Sequence, residues 1–223
     1  MNVLVVGAHH DDIELGCGGT VSRLADEGHT VYGLVLTNSE THYDVRDIHR
    51  TKEQAIVEAK KAAEVIGLTL TELDYPQADN GLLQYDVELM RTLERFLHKH
   101  DIQLVFSHWQ YDMNTDHEAA SKITMVASRH VPSVLMYRSN WYQPDRAFNG
   151  IFYVDISKYI EKKIKSLESY SVEIDNRSHE WIDSFIDHNR SFGFSIDSEY
   201  AEVFEPMRYT LINPVERRNR RNG

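Results

Sequence analysis

Val3-Leu4-Val5-Val6-Gly7-Ala8-His9-His10-Asp11-Asp12-Ile13-Glu14 runs from an uninterrupted apolar tetrad straight into four titratable side chains. A short, continuous, valine-rich run is what a strand buried on both faces requires. The change at His9 places the polar cluster at the carboxyl end of that strand, the edge at which open α/β sheets bind ligands. A core disfavours four titratable groups, and an ordinary turn needs only one of them. The cluster therefore points to chemistry. The competing reading is a polar loop that caps the next helix through Asp11 or Asp12.

The alternation continues outward from this strand. Thr20–Glu27 reads as a helix stopped by Gly28, and Val31–Leu36 as a second buried run. Ile56, Ala59, Ala63 and Ile66 fall at helical spacing and are closed by Gly67. Leu68–Leu73 reads as a strand, and Val87, Met90, Leu93, Phe96 and Leu97 mark an amphipathic helix. Ile102–Phe106 and Val134–Tyr137 are further strands. The pattern predicts an α/β fold: a Rossmann-like, mostly parallel sheet with helices on both faces. After a boundary at Pro144–Gly150, Ser157–Tyr170 and Trp181–Phe192 read as helices of a C-terminal extension. The expected organisation is a single domain with a core over 1–143, the extension over 144–212 and a flexible tail over 213–223.

Composition narrows the function classes. The 223 residues suit one large domain, and 41% hydrophobic with 26% charged residues is ordinary for a soluble globular protein. The formal net charge of −11 argues against a nucleic-acid backbone as partner. The basic run Glu216-Arg217-Arg218-Asn219-Arg220-Arg221 reads as a solvated terminus. No stretch approaches the ~20 apolar residues of a membrane helix, and no targeting segment is visible. The lone Cys17 rules out an internal disulfide and suits a reducing compartment, so a cytoplasmic location is expected.

A second polar segment, Asp112-Met113-Asn114-Thr115-Asp116-His117-Glu118, follows strand Ile102–Phe106 and precedes a helix opening near Glu118. It too should lie at a carboxyl edge, where the two segments can meet. His9 and Asp12 from one loop and His117 from the other make the three-ligand N/O set of a catalytic zinc, with the fourth position left for water. Fe2+, Co2+ or manganese also suit such a set. Asp11, next to Asp12, is placed to take a proton from that water as general base. Asp116 is expected either to orient His117 or to cap the helix.

These residues, in this order, resemble the PIG-L/LmbE-like zinc N-deacetylases. Ala8-His9-His10-Asp11-Asp12, with Glu14 and Gly18-Gly19, is similar to that family's Ala-His-Pro-Asp-Asp signature, and Asp112–His117 to its Asp-x-His-x-Asp-His motif. Tyr153-Val154-Asp155-Ile156-Ser157 with Glu161-Lys162-Lys163-Ile164, and Glu199-Tyr200-Ala201-Glu202-Val203-Phe204, are similar to its C-terminal motifs. The resemblance implies hydrolysis of an N-acetyl group from a small molecule containing N-acetylglucosamine. It also implies His9, Asp12 and His117 as zinc ligands, Asp11 as base, and assembly into symmetric oligomers. Asp79 falls where the family has an aspartate contacting sugar hydroxyls, although Asp79-Asn80-Gly81 also reads as a plain turn.

Three positions depart from the family pattern. His10 replaces a proline that would stiffen the loop. Asn114 replaces a histidine; an amide can donate to an oxyanion but delivers no proton. The family's substrate arginine is replaced by Ala55, leaving Arg50 or Arg46 to take its place. Tyr43, Trp109, Tyr111, Trp141 and Tyr142 are expected near the carboxyl edge, either stacking on a sugar or packing the extension.

The rival within enzymes is a metal hydrolase of another amide or ester. A further rival is a catalytically weak or regulatory member, for which Asn114 speaks. Gly16-Cys17-Gly18-Gly19 invites a nucleotide-binding reading, but His-His-Asp-Asp stands where the phosphate-loop glycines belong, and acidic groups repel pyrophosphate.

Overall fold

In the computed structural model, which describes residues 1–44 and 48–210 except the side chain of Tyr43, the apolar runs become strands of one sheet. The chain begins β1 (Asn2–Gly7), α1 (Asp12–Asp26), β2 (Thr30–Val35), then a hairpin of β3 (Thr41–Tyr43) and β4 (Ile48–Arg50). It continues α2 (Lys52–Ile66), β5 (Thr69–Thr71), α3 (Val87–Lys99), β6 (Ile102–His108), α4 (Thr115–Ala127) and β7 (Ser133–Tyr137). The last part is β8 (Phe152–Asp155), α5 (Ile160–Leu167), α6 (Ser171–Arg177), α7 (Glu180–Phe194) and β9 (Ala201–Arg208).

The sheet order is β5-β2-β1-β6-β7-β9-β8. β5, β2, β1, β6 and β7 pair in parallel, while β9 runs antiparallel to both β7 and β8. Strand order reverses between β1 and β6, and such a switch point leaves a crevice beyond the strands' carboxyl ends. Both polar segments emerge there.

Alternation along β1 assigns its side chains to two cores. Leu4 and Val6 pack with Leu93 and Leu97 of α3 and Ile123 of α4. Val3 and Val5 pack with Ile13, Cys17 and Val21 of α1 and Ile66 of α2. All four β1 residues are completely buried, each worth about 1.5–3 kcal/mol relative to exposure. Thr51 opens α2 with a capping box closed by Gln54, and Gly67 ends it at φ 74, a left-handed conformation that favours glycine.

Two expectations are corrected. The first helix begins at Asp12, not Thr20, because the glycines around Cys17 lie inside it. The chain after Pro144 does more than append helices, since β8 and β9 extend the main sheet and α5 and α7 form a third core with Leu15. Arg46 and the 213–223 tail lie outside the described residues. Among the described residues no helix is long and apolar enough to cross a membrane.

Candidate metal centre

Local structure at the end of β1 aims the first polar segment. Leu36 N–H and Thr37 N–H donate to the Gly7 and Ala8 carbonyls (3.1 and 3.0 Å), carrying the β1–β2 pairing past the strand ends. His9 N–H then donates to Asp12 Oδ2 at 2.7 Å, closing a tight turn into α1. Asp11, at the head of that helix, has φ 135 and makes no side-chain capping bond. Such a backbone costs about 1–3 kcal/mol and is a recurrent feature of functional sites. Asp11 is therefore not the helix cap that the competing sequence reading offered.

The second segment enters from β6. Asn114 caps α4, its side-chain oxygen accepting from Asp116 N–H (2.9 Å) and His117 N–H (3.3 Å). One turn of helix then carries His117 over the end of β1. His9 Nδ1 and His117 Nε2 stand 3.2 Å apart, His117 Nε2 is 3.2 Å from Asp12 Oδ1, and His9 Nδ1 is 3.4 Å from Asp12 Oδ2. Zinc–nitrogen arms of about 2.0–2.1 Å meeting tetrahedrally separate ligand atoms by roughly 3.3–3.4 Å. The donor set fits one divalent cation.

The surroundings support each ligand. His9 Nε2 pairs with Asp116 Oδ2 at 2.9 Å, and His117 Nδ1 lies 3.3 Å from Asp112 Oδ2 and 3.2 Å from Asn140 Nδ2. Ser139 Oγ donates to Asp12 Oδ1 at 2.7 Å. Carboxylates on the far ring nitrogens fix tautomer and orientation, as ligating histidines require. Burial disfavours charge on both rings, yet Asp116 and Asp12 hold His9 up at about 10, and Asp12 and Asp112 hold His117 up at about 9. The carboxylates around the two rings thus favour positive charge there. Burial opposes ionisation of Asp12 as well, but His117 and His108 outweigh it and keep the carboxyl well below its usual range. Asp11 moves the other way: burial, then the Asp12 and Glu173 carboxylates, push it upward.

His9, Asp12, His117 and Asp11 border a cavity of about 620 Å³ that Asn114 and Arg50 also line. Several assignments shift. Asp116 does not orient His117 or cap α4; it holds His9 and accepts from Gly81 N–H and Leu83 N–H, while Asp112 faces His117. Asp79 accepts from Asn38 Nδ2 at 2.7 Å and lies outside the cavity lining, which Asn80 and Gly81 form instead. Arg50 is buried between Glu58 (3.3 Å) and Glu173 (3.5 Å). Of the expected aromatics Tyr142 lines the cavity, whereas Trp109 is buried and Trp141 stacks on His188. Gly16–Gly19 lies buried inside α1, so it forms no phosphate loop. Ser139 and Asn140 were missed, and their one signal was their place just beyond strand Val134–Tyr137. Glu173, Asn176, Arg177 and Trp181, which also line the cavity, carried no signal at all.

The chain is similar to several known proteins. A protein of Escherichia coli K12 described as the uncharacterized deacetylase YaiS is 30% identical over 148 residues, spanning 62% of this chain and 75% of that one. Diacetylchitobiose deacetylase of Thermococcus kodakarensis is 28% identical over 124 residues, 53% of this chain and 45% of its own. Among solved structures, the conserved protein TT1542 of Thermus thermophilus superposes with a TM-score of 0.75 at 26% identity, over 95% of this chain and 97% of that one. Residues 4–128, which carry most of β1, the cluster of His9, Asp12 and His117, and α4, match the family described as PIG-L, GlcNAc-PI de-N-acetylase, and the chain belongs to that deacetylase family.

Proposed function

We propose that the protein is a zinc-dependent hydrolase that removes the N-acetyl group from a small molecule containing N-acetylglucosamine. The observation that carries this reading is the convergence of His9, Asp12 and His117, whose donor atoms lie within 4.8 Å of one another, beside a carboxylate that is not a ligand. Zinc, or Fe2+ or Co2+ in its place, would be held by those three side chains and would polarise an amide carbonyl and acidify a water. Asp11 is the base that accepts the water's proton and returns it to the departing amine, and its raised pKa suits a group that must do both. The Asn114 oxygen is spent on the α4 backbone, and its Nδ2 has no partner among the described residues. That amide is the donor for the oxygen on which negative charge develops. Asp116 acts one step removed, by holding His9. Arg50, on the cavity wall but held by Glu58 and Glu173, supplies positive charge beside the substrate oxygens. The acetylated amino sugar is supported by the family match and by the diacetylchitobiose relative.

The test is acetate release from a panel of N-acetylglucosamine, diacetylchitobiose, N-acetyl amino acids, ureas and simple esters, with metal-loaded and chelator-treated protein. Acetate from the amino sugars alone, abolished by chelation, is the expected result. Release that ignores the chelator, or turnover confined to esters or ureas, refutes the reading.

A further inference from the structure

Two of the motifs in the sequence, those around Lys163 and Glu202, have no part in the chemistry above, yet they meet deep inside the protein. Lys163 on α5 is 0% exposed and Glu202 on β9 is 1% exposed, and Nζ lies 2.6 Å from Oε1. Their remaining contacts are with the backbone of α1. That helix is broken at Cys17, where φ is −150 and ψ is 20. Lys163 Nζ donates to the Leu15 carbonyl at 2.8 Å, while Gly19 N–H (3.1 Å) and Thr20 N–H (2.7 Å) donate to Glu202. Leu15 C=O and Gly19 N–H are the two groups an unbroken helix would pair with each other. The ion pair has been inserted into the helix ladder, an identifiable cause of a sharp kink.

The break separates a first turn, Asp12–Gly16, from the rest of α1. A cation closes the carbonyl end of the first turn and an anion caps the amide end of the second segment, both in the orientation that helix dipoles favour. The first turn is confined from the other side, because a Cβ on Gly16 would lie 2.1 Å from the Tyr137 ring, and Tyr137 Oη donates to the Val6 carbonyl of β1 at 2.8 Å. Asp12 belongs to this turn and Asp11 opens it. A buried ion pair is weak evidence for stability, since desolvation offsets its attraction and apolar side chains often serve as well. The geometry offers a different reason for burying it.

We propose that Lys163 and Glu202 are positioning residues, an ion pair threaded through the break in α1 that sets the direction of its first turn and so aims Asp11 and Asp12 at the metal position. On this view the C-terminal third of the chain helps to build a metal centre to which it supplies no ligand. The proposal rests on the metal-centre reading, and its test keeps the two apart. Co2+ is titrated into metal-free parent, into Glu202→Gln, and into the double variant Lys163→Met, Glu202→Leu. Visible d–d absorption reports ligand geometry and affinity, and near-UV circular dichroism reports the fold.

The expected result is that the variants keep the native near-UV spectrum but bind Co2+ about 10–100-fold more weakly, the usual cost of losing support behind a ligand, with an altered d–d band. A variant pair with parental affinity and band shape overturns the proposal while leaving the metal centre intact. Loss of the native near-UV spectrum in both variants also overturns it, since the pair would then be holding the fold as a whole. If the parent itself takes up no Co2+, the metal-centre reading fails, and the proposal falls with it.

Discussion

Replacing Asp11 by asparagine separates catalysis from metal binding more cleanly than any other single change at this site. The exchange preserves size and leaves all three ligands in place. It also sacrifices no capping bond, because the Asp11 side chain makes none, and asparagine keeps the shape of aspartate on the strained backbone at φ 135. What disappears is a group able to take up a proton. Loss of a positioned base lowers turnover by about 10²–10⁴, or roughly 2.7–5.4 kcal/mol of barrier.

Stability should move the other way. The folded pKa of Asp11 is raised above its usual value of 3.8 by burial first and by Asp12 and Glu173 next, so ionising it in the metal-free protein opposes folding. That penalty is absent below the unfolded value and present in full once the pH exceeds the folded one. Metal-free Asp11→Asn is therefore expected to unfold at an equal or higher urea concentration than the parent near neutral pH, and to lose the advantage in acid. The assay is acetate release by protein whose metal content has been measured, together with urea titrations of the metal-free forms. A fully metallated variant that turns over within about threefold of the parent would sink the assignment of Asp11 as base.

Asp116→Asn should show the complementary pattern. Asparagine keeps one acceptor oxygen for Leu83 N–H, but the charge is lost and an NH2 donor replaces the Oδ2 that His9 and the Gly81 amide share, so metal affinity should fall about 10–100-fold and stability by about 1–3 kcal/mol. Competition against a chromophoric chelator and urea unfolding measure the two effects, and unchanged affinity would contradict the role given to Asp116. Metal uptake should also release protons. Neighbouring carboxylates raise the pKa of both His9 and His117, which favours protonation of the pair, whereas ligation needs neutral rings. Affinity should rise with pH, and calorimetry in buffers of different ionisation enthalpy should find net proton release on binding. An affinity that does not change between about pH 6 and 8 would contradict this.

Much of the molecule was legible in the sequence because the relevant signals are local. The run Val3–Val6 can be buried on both faces only in a sheet covered by helices, and the order of the five apolar runs and their helices implied the parallel core. His9, Asp12 and His117 were readable because donor types at that spacing beyond strand ends suit a metal far better than a core or a turn. The details that failed depend on direction. Both Asp112 and Asp116 stand within five residues of His117, and nothing in that spacing tells which one faces its ring. The answer comes from the loop at Gly81–Leu83, whose amides claim Asp116 and turn it toward His9. Helix α1 was misjudged for a related reason. Gly16, Gly18 and Gly19 argue locally against a helix, yet Lys163 and Glu202, more than a hundred residues away, satisfy the backbone groups that the break exposes. The sequence by itself determined the layered scaffold and the donor types of the cluster at His9, Asp12 and His117, since hydrophobic period and donor chemistry are properties of neighbouring residues. Only the tertiary structure decided which carboxylate supports which ring and how the first turn of α1 is aimed, because those follow from contacts between segments that the chain does not place side by side.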